Sequence, residues 1–100
     1  MVDPQLLVLM VPAEIRDDVV DALMACEVIS GFNMATTAGY SKEHSQYNLR
    51  EQVEGYRTVY EFEVLHEAAR QASLLDTLRP LCRTAGVRYW ITPLREQGHL

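Results

Sequence analysis

The chain has 100 residues, 48% of them hydrophobic, and a formal net charge of −5, which is enough apolar material for one modest core in a single domain over 1–100. The acidic balance argues against a nucleic-acid partner, whose phosphates require a basic face. No apolar run approaches the roughly 20 residues of a membrane span, and residues 1–15 lack the basic start and small-residue cleavage site of a secretion signal, so a cytoplasmic protein without membrane insertion is expected.

Residues 5–11 (QLLVLMV) form a continuous apolar run, the pattern of a strand buried on both faces. Pro12 then blocks further central pairing and suits the first turn of a helix. In AEIRDDVVDALMACEV, Ile15, Val19, Leu23 and Cys26 recur at spacings of three and four, with Asp17, Asp18 and Asp21 opposite them. That spacing predicts an amphipathic helix, and the early acidic residues complement its dipole. Ser30-Gly31 breaks the chain, and residues 32–38 (FNMATTA) alternate as a strand, with Phe32, Met34 and Thr36 on one side.

Residues 40–56 (YSKEHSQYNLREQVEGY) do not alternate; Leu49 and Val53 are their only aliphatic anchors. Tyr40 to Asn48 carries no aliphatic residue, so burial cannot offset the ordering entropy of about 1–2 kcal/mol per residue. The expectation is a tip that stays mobile until a partner or ligand holds it, with Leu49 and Val53 docked one helical turn apart. Residues 57–65 (RTVYEFEVL) alternate sharply: Thr58, Tyr60, Phe62 and Val64 against Arg57, Val59, Glu61 and Glu63. The next segment places Ala68, Ala72, Leu75, Leu78 and Cys82 on one helical stripe, with Gly86 as its stop and Pro80 predicting a kink or early end. Residues 87–93 (VRYWITP) are the last strand. Cys26 and Cys82 lie far apart without a CxxC, so they read as small apolar fillers rather than disulfide or zinc ligands.

The order is β-α-β-β-α-β. Two βα units of this kind pack as a ferredoxin-like α+β sandwich, a four-stranded antiparallel sheet with two helices on one face. Helices on one face cannot cover a first strand that is apolar on both. Either Leu6, Val8 and Met10 or Leu7, Leu9 and Val11 would form an exposed patch of a kind monomers rarely tolerate, so the chain is expected to associate with itself.

With a polar insert between strands two and three, the chain resembles the PII-like signalling superfamily, and more narrowly an uncharacterised bacterial PII-like family often encoded beside heavy-metal efflux systems. The residues that carry the likeness are ISGF (29–32), LREQVEGYRTVYEFEV (49–64) and RYWITPLREQGHL (88–100). The resemblance implies a non-enzymatic regulatory homotrimer in which residues 40–56, the T-loop equivalent, sense a small ligand or touch a membrane transporter or enzyme. The chain departs from that family at Gly39-Tyr40, where members carry Gly-His, and at Tyr56, where they carry Arg. PII proteins hold ATP phosphates with a Gly- and Lys-rich loop before the last strand. Here that connection is RTAGVRY (83–89), with one glycine and no lysine, too few donors for a triphosphate.

Candidate ligand- or partner-binding residues are Tyr40, His44, Tyr47, Glu54, Tyr56 and Arg57. A divalent metal could draw on His44, or on Glu61 and Glu63 with His66 just beyond them. The plainer readings are a solvated loop histidine and the wet or interface face of a strand, on which Arg57 could pair with Glu61 across a subunit boundary. Tyr89 and Trp90 read as packing residues, or as an interface anchor at a sheet edge. No GxSxG, P-loop or HExxH occurs. The segment VPAEIRDD (11–18) is acidic and lacks the glycines of the anion loop that acylphosphatases of this fold require. A non-enzymatic regulator is therefore expected. The alternatives are a small metal-binding protein of heavy-metal homeostasis, like the cation-tolerance protein CutA, and a purely structural interaction module. Titration calorimetry with ATP is expected to show no binding tighter than about 100 µM, roughly −5.5 kcal/mol; tighter binding would mean that another surface supplies the missing phosphate donors.

Overall fold

The computed structural model describes residues 1–42 and 55–100. Among these residues four strands, β1 (Pro4–Pro12), β2 (Asn33–Gly39), β3 (Arg57–Glu67) and β4 (Arg88–Pro93), are joined by two helices, α1 (Arg16–Ala25) between β1 and β2 and α2 (Gln71–Cys82) between β3 and β4. A short 3-10 turn, Ala13–Ile15 or Ala68–Arg70, leads into each helix. The sheet order is β2-β3-β1-β4 with every pair antiparallel, so the ferredoxin-like α+β sandwich is the observed fold.

The apolar first strand takes a central position, as its composition requires. Leu7, Leu9 and Val11 point toward the helices and pack with Phe62 and Val64 of β3, Val19 and Leu23 of α1, and Leu74 and Leu78 of α2. Among the described residues these are the most buried apolar side chains, each worth roughly 1.5–3 kcal/mol of transfer free energy. In the register, Leu7 lies opposite Val64 and Ile91, and Leu9 opposite Phe62 and Tyr89. Facing residues of an antiparallel ladder share a side, which fixes the composition of both sheet faces.

On the face without helices, one row runs Asn33, Glu63, Val8, Trp90, and the next Ala35, Glu61, Met10, Arg88. The alternation read along β3 is the alternation observed. Extended by two residues, it carries His66 to the helix side.

Three local expectations change. Pro12 remains in β1 as its last residue, opposite Val59, because its extended backbone (φ −68, ψ 157) is compatible with a strand end. The helix continues through Pro80 to Cys82; Pro80 is exposed, so water can hydrate the carbonyl that loses its donor. The buried stripe of α2 is Leu74 and Leu78, with Leu75 and Cys82 at its margin and Ala72 in solvent. Gly86 does end this segment. Its φ of +64 is the left-handed turn that glycine adopts freely, and the Val87 N–H donates to the Cys82 carbonyl at 3.4 Å, as in a Schellman closure. Leu74→Ala is expected to lower stability by about 2–5 kcal/mol, whereas Ala72→Ser should change it by no more than about 0.5 kcal/mol; urea denaturation reads both.

Candidate functional site

The β2-β3 hairpin brings the two ends of the long insert together. Gly39 pairs with Arg57 across the ladder, and a Cβ on Gly39 would lie 2.8 Å from Cγ2 of Val59. Only glycine lets the strands approach this closely at the stem. One residue beyond the pair, the rings of Tyr40 and Tyr56 meet at 5.9 Å between centroids, tilted by 43°, a contact worth on the order of 1 kcal/mol.

Beneath this aromatic pair opens a cleft of about 390 Å³. Its near wall is Gly39, Tyr40, Ser41, Arg57 and Val59 from the stem; its far wall is Ala85, Gly86 and Arg88 from the turn after α2 and the start of β4. Met10 and Pro12 form the floor. Two arginines thus border one concave surface on a chain of net charge −5, an arrangement suited to a small anion that takes charge-assisted hydrogen bonds from guanidinium groups. Arg57 is half-buried, and its Nη2 lies 3.6 Å from Oε2 of Glu14, a carboxylate from the turn that follows β1. Glu14 thus gives Arg57 a carboxylate partner within its own chain.

The sequence candidates separate in space. Tyr40 and Arg57 line the cleft, and Tyr56 packs against Tyr40 beside it. His44, Tyr47 and Glu54 lie outside the described residues, as does the expected helical turn around Leu49 and Val53. Glu61 and Glu63 stand half-buried on the helix-free face. His66 does not join them: it is 1% exposed on the opposite side of the sheet. There Nδ1 donates to the Val64 carbonyl at 3.1 Å, and Nε2 lies 3.0 Å from Oε1 of Gln5. A buried imidazole engaged through both nitrogens is part of the core, and β3 parity separates it from the carboxylates. Among the described residues no three His, Cys, Asp or Glu side chains come together as metal ligands. The Cys82 thiol is pushed above its ordinary pKa by burial, which suits an apolar filler rather than a reactive thiolate. The cleft residues that sequence reading missed are Ser41, Gly86 and Arg88, and with them Glu14 as the partner of Arg57. Arg88 lies next to the predicted strand residues Tyr89 and Trp90, but its approach to the insert depends on β4 pairing with β1.

The model of one family, described as a protein of unknown function (DUF3240), matches residues 1–100. The chain belongs to the DUF3240 family. A crystal structure of a DUF3240 family protein from Shewanella baltica OS155 is 40% identical, with 100% of this chain and 99% of that one covered and a TM-score of 0.82. The same fold is shared with CPII, a nitrogen regulatory PII-like protein from Thiomonas intermedia K12 bound to ADP, AMP and bicarbonate, at 11% identity, 97% coverage of both chains and a TM-score of 0.71. It is shared too with part of a Bacillus cereus protein related to NIF3, at 16% identity and a TM-score of 0.71, over 97% of this chain and 26% of that one. No curated protein matches the DUF3240 chain.

The core role of His66 has a measurable consequence. Gln5→Leu removes the polar group beside Nε2 while keeping an apolar body in its place. It is expected to cost about 1–3 kcal/mol, the penalty of an unsatisfied buried polar group, read by urea denaturation against the parent chain.

Proposed function

We propose that this DUF3240 protein is a non-enzymatic PII-like regulator, a homotrimer that senses a small anion or contacts a protein target through residues 40–56. The observation that carries the reading is the position of the cleft. It lies under the joined stems of the insert, with Arg57 on the stem and Arg88 opposite, so an anion held there touches the chain where the insert leaves and re-enters the sheet. A ligand that bridges those walls stabilises one arrangement of the insert over others, which is the requirement for a ligand-driven switch. CPII, of the same fold, is bound to nucleotides and bicarbonate, and this supports a small anionic ligand as the class to test. The RTAGVRY turn, with its single glycine, supports a carboxylate, bicarbonate or monophosphate over a triphosphate. Self-association is supported by the helix-free face, where Leu6, Met10 and Leu65 stay half-buried around a buried Val8 and Trp90 stands exposed beside it, an apolar surface suited to contact. A membrane transporter or an enzyme is the class of partner proposed for the insert, in line with the PII-like reading, and the cytoplasm is the compartment; among the described residues no helix is long and apolar enough to cross a membrane.

A thermal-shift screen of bicarbonate, phosphate, AMP, ADP and divalent metals tests the ligand class, because a ligand that binds only the folded state raises its midpoint. An anion is expected to raise the midpoint of the parent chain, and Arg57→Gln to reduce that rise. Deletion of 41–47 is expected to leave a folded assembly that no longer responds. Binding that survives both changes would place the ligand elsewhere, and a metal-only response would favour a role in metal homeostasis.

A further inference from the structure

On the helix side of the sheet, cover is incomplete at the β4 edge. There α2 turns Leu74 and Leu78 into the core while Leu75 and Cys82 stay at its margin. Between that margin and the start of β4 opens a crevice of about 240 Å³. Leu75 and Cys82 form its helix wall, Val87 and Tyr89 its strand wall, and Leu9 reaches it from the core. Tyr89 is 52% exposed although its ladder partner Leu9 is buried, so the strand wall is open to water. Alternation along β4 puts Tyr89 on the helix side and Arg88 on the other. The crevice and the cleft beneath Tyr40 therefore lie on opposite faces of the sheet, with Gly86 bordering both.

Arg79 and Arg83 also line the crevice, four residues apart at the C-terminal end of α2, a spacing that makes them neighbours on the helix surface. Arg79 donates through Nη1 to Oδ1 of Asp76 at 2.6 Å. Both of those side chains are more than half exposed, so the pair is weak and leaves the other guanidinium N–H groups available. Arg83 has no ion-pair partner among the described residues. Arginines near a helix C-terminus complement its dipole, which accounts for their charge and not for the apolar walls beside them. Those walls offer nothing to a charged or hydrated group, since burial raises the Cys82 pKa and keeps the thiol neutral. The guanidinium groups, in turn, favour an anion over a neutral molecule. An apolar body carrying one carboxylate satisfies both. Size sets the scale of that body: a cavity of about 150 Å³ with leucine, isoleucine and phenylalanine walls admits benzene, so about 240 Å³ holds one ring with a short arm.

We propose that the crevice between α2 and the start of β4 binds a small amphipathic monocarboxylate. Its aromatic or short alkyl body lies against Leu75, Cys82 and Val87, and its carboxylate turns toward Arg79 and Arg83. This site goes beyond the anion cleft of the proposed function, because recognition here rests on an apolar body that bicarbonate and phosphate lack.

Thiol protection in the full chain tests the site. In the Cys26→Ala variant Cys82 is the single remaining thiol, and mass spectrometry after N-ethylmaleimide treatment reads its accessibility. Millimolar phenylacetate is expected to slow that reaction by about threefold or more and to raise the thermal midpoint. Acetate has the charge without the body and 2-phenylethanol the body without the charge; each should bind at least about tenfold more weakly. Arg79→Gln with Arg83→Gln should weaken phenylacetate binding by about tenfold or more. Circular dichroism reports folding, and Arg83→Gln alone serves should the double variant not fold. Inorganic phosphate separates this site from the cleft: it is expected to leave Cys82 reactivity unchanged, whatever it does to the midpoint. The absence of both protection and a midpoint shift with phenylacetate would overturn the proposal. So would protection that the arginine variants retain in full, or that phosphate reproduces. Should Cys82 resist the reagent without any ligand, calorimetry of phenylacetate against the parent and the arginine variants decides by the same loss. A thiol that becomes reactive only on dilution would mean that another copy covers the crevice, and would overturn the proposal.

Discussion

The constraint on which the rest depends is that β1 is apolar on both faces and central in the sheet. A strand flanked by β3 and β4 satisfies its backbone groups through two ladders, so its stability turns on what covers each side. Leu7, Leu9 and Val11 are covered by α1 and α2 and anchor the core. Leu6, Val8 and Met10 face the side that the two helices leave open, where Val8, between its ladder neighbours Glu63 and Trp90, is still only 7% exposed. The fold thus produces a well-packed side and a side on which Leu6 and Met10 stay half-buried and Trp90 stands exposed.

That second side organises the functional reading. The long insert enters and leaves at its edge, through a stem tightened by Gly39 and clasped by Tyr40 and Tyr56. The cleft below the stem shares Met10, Val59 and Arg88 with the open face. On the proposed reading, ligand site and subunit contact are neighbours rather than separate regions. Ligand occupancy and association would be thermodynamically linked, each shifting the other by the same factor.

The metal site read on β3 weakens for a geometric reason. Side chains alternate along a strand, so Glu61 and Glu63 share a face while His66 takes the other, where Gln5 and the Val64 carbonyl hold it in the core. A mixed carboxylate–imidazole site on β3 alone would need an odd-numbered histidine.

Much of the architecture was legible in residue order because local periodicity reports it directly. Alternation in RTVYEFEVL assigned both faces of β3, the unbroken run in QLLVLMV marked a strand buried on both sides, and Gly86 marked the end of the second helical segment. Periodicity cannot say which of two adjacent stripes on a helix faces the sheet, and so Leu74 took the buried place that had been assigned to Ala72. Nor does it report pairing at long range. Arg57 and Glu14 are brought together by the 3-10 turn after β1, and Arg88 reaches the cleft because β4 pairs with β1 rather than with β3. Sequence alone determined the elements and the faces of β3, since those follow from contacts a few residues apart. The tertiary structure decided the cleft and the separation of acid from base across the open face, because both depend on which strands become neighbours.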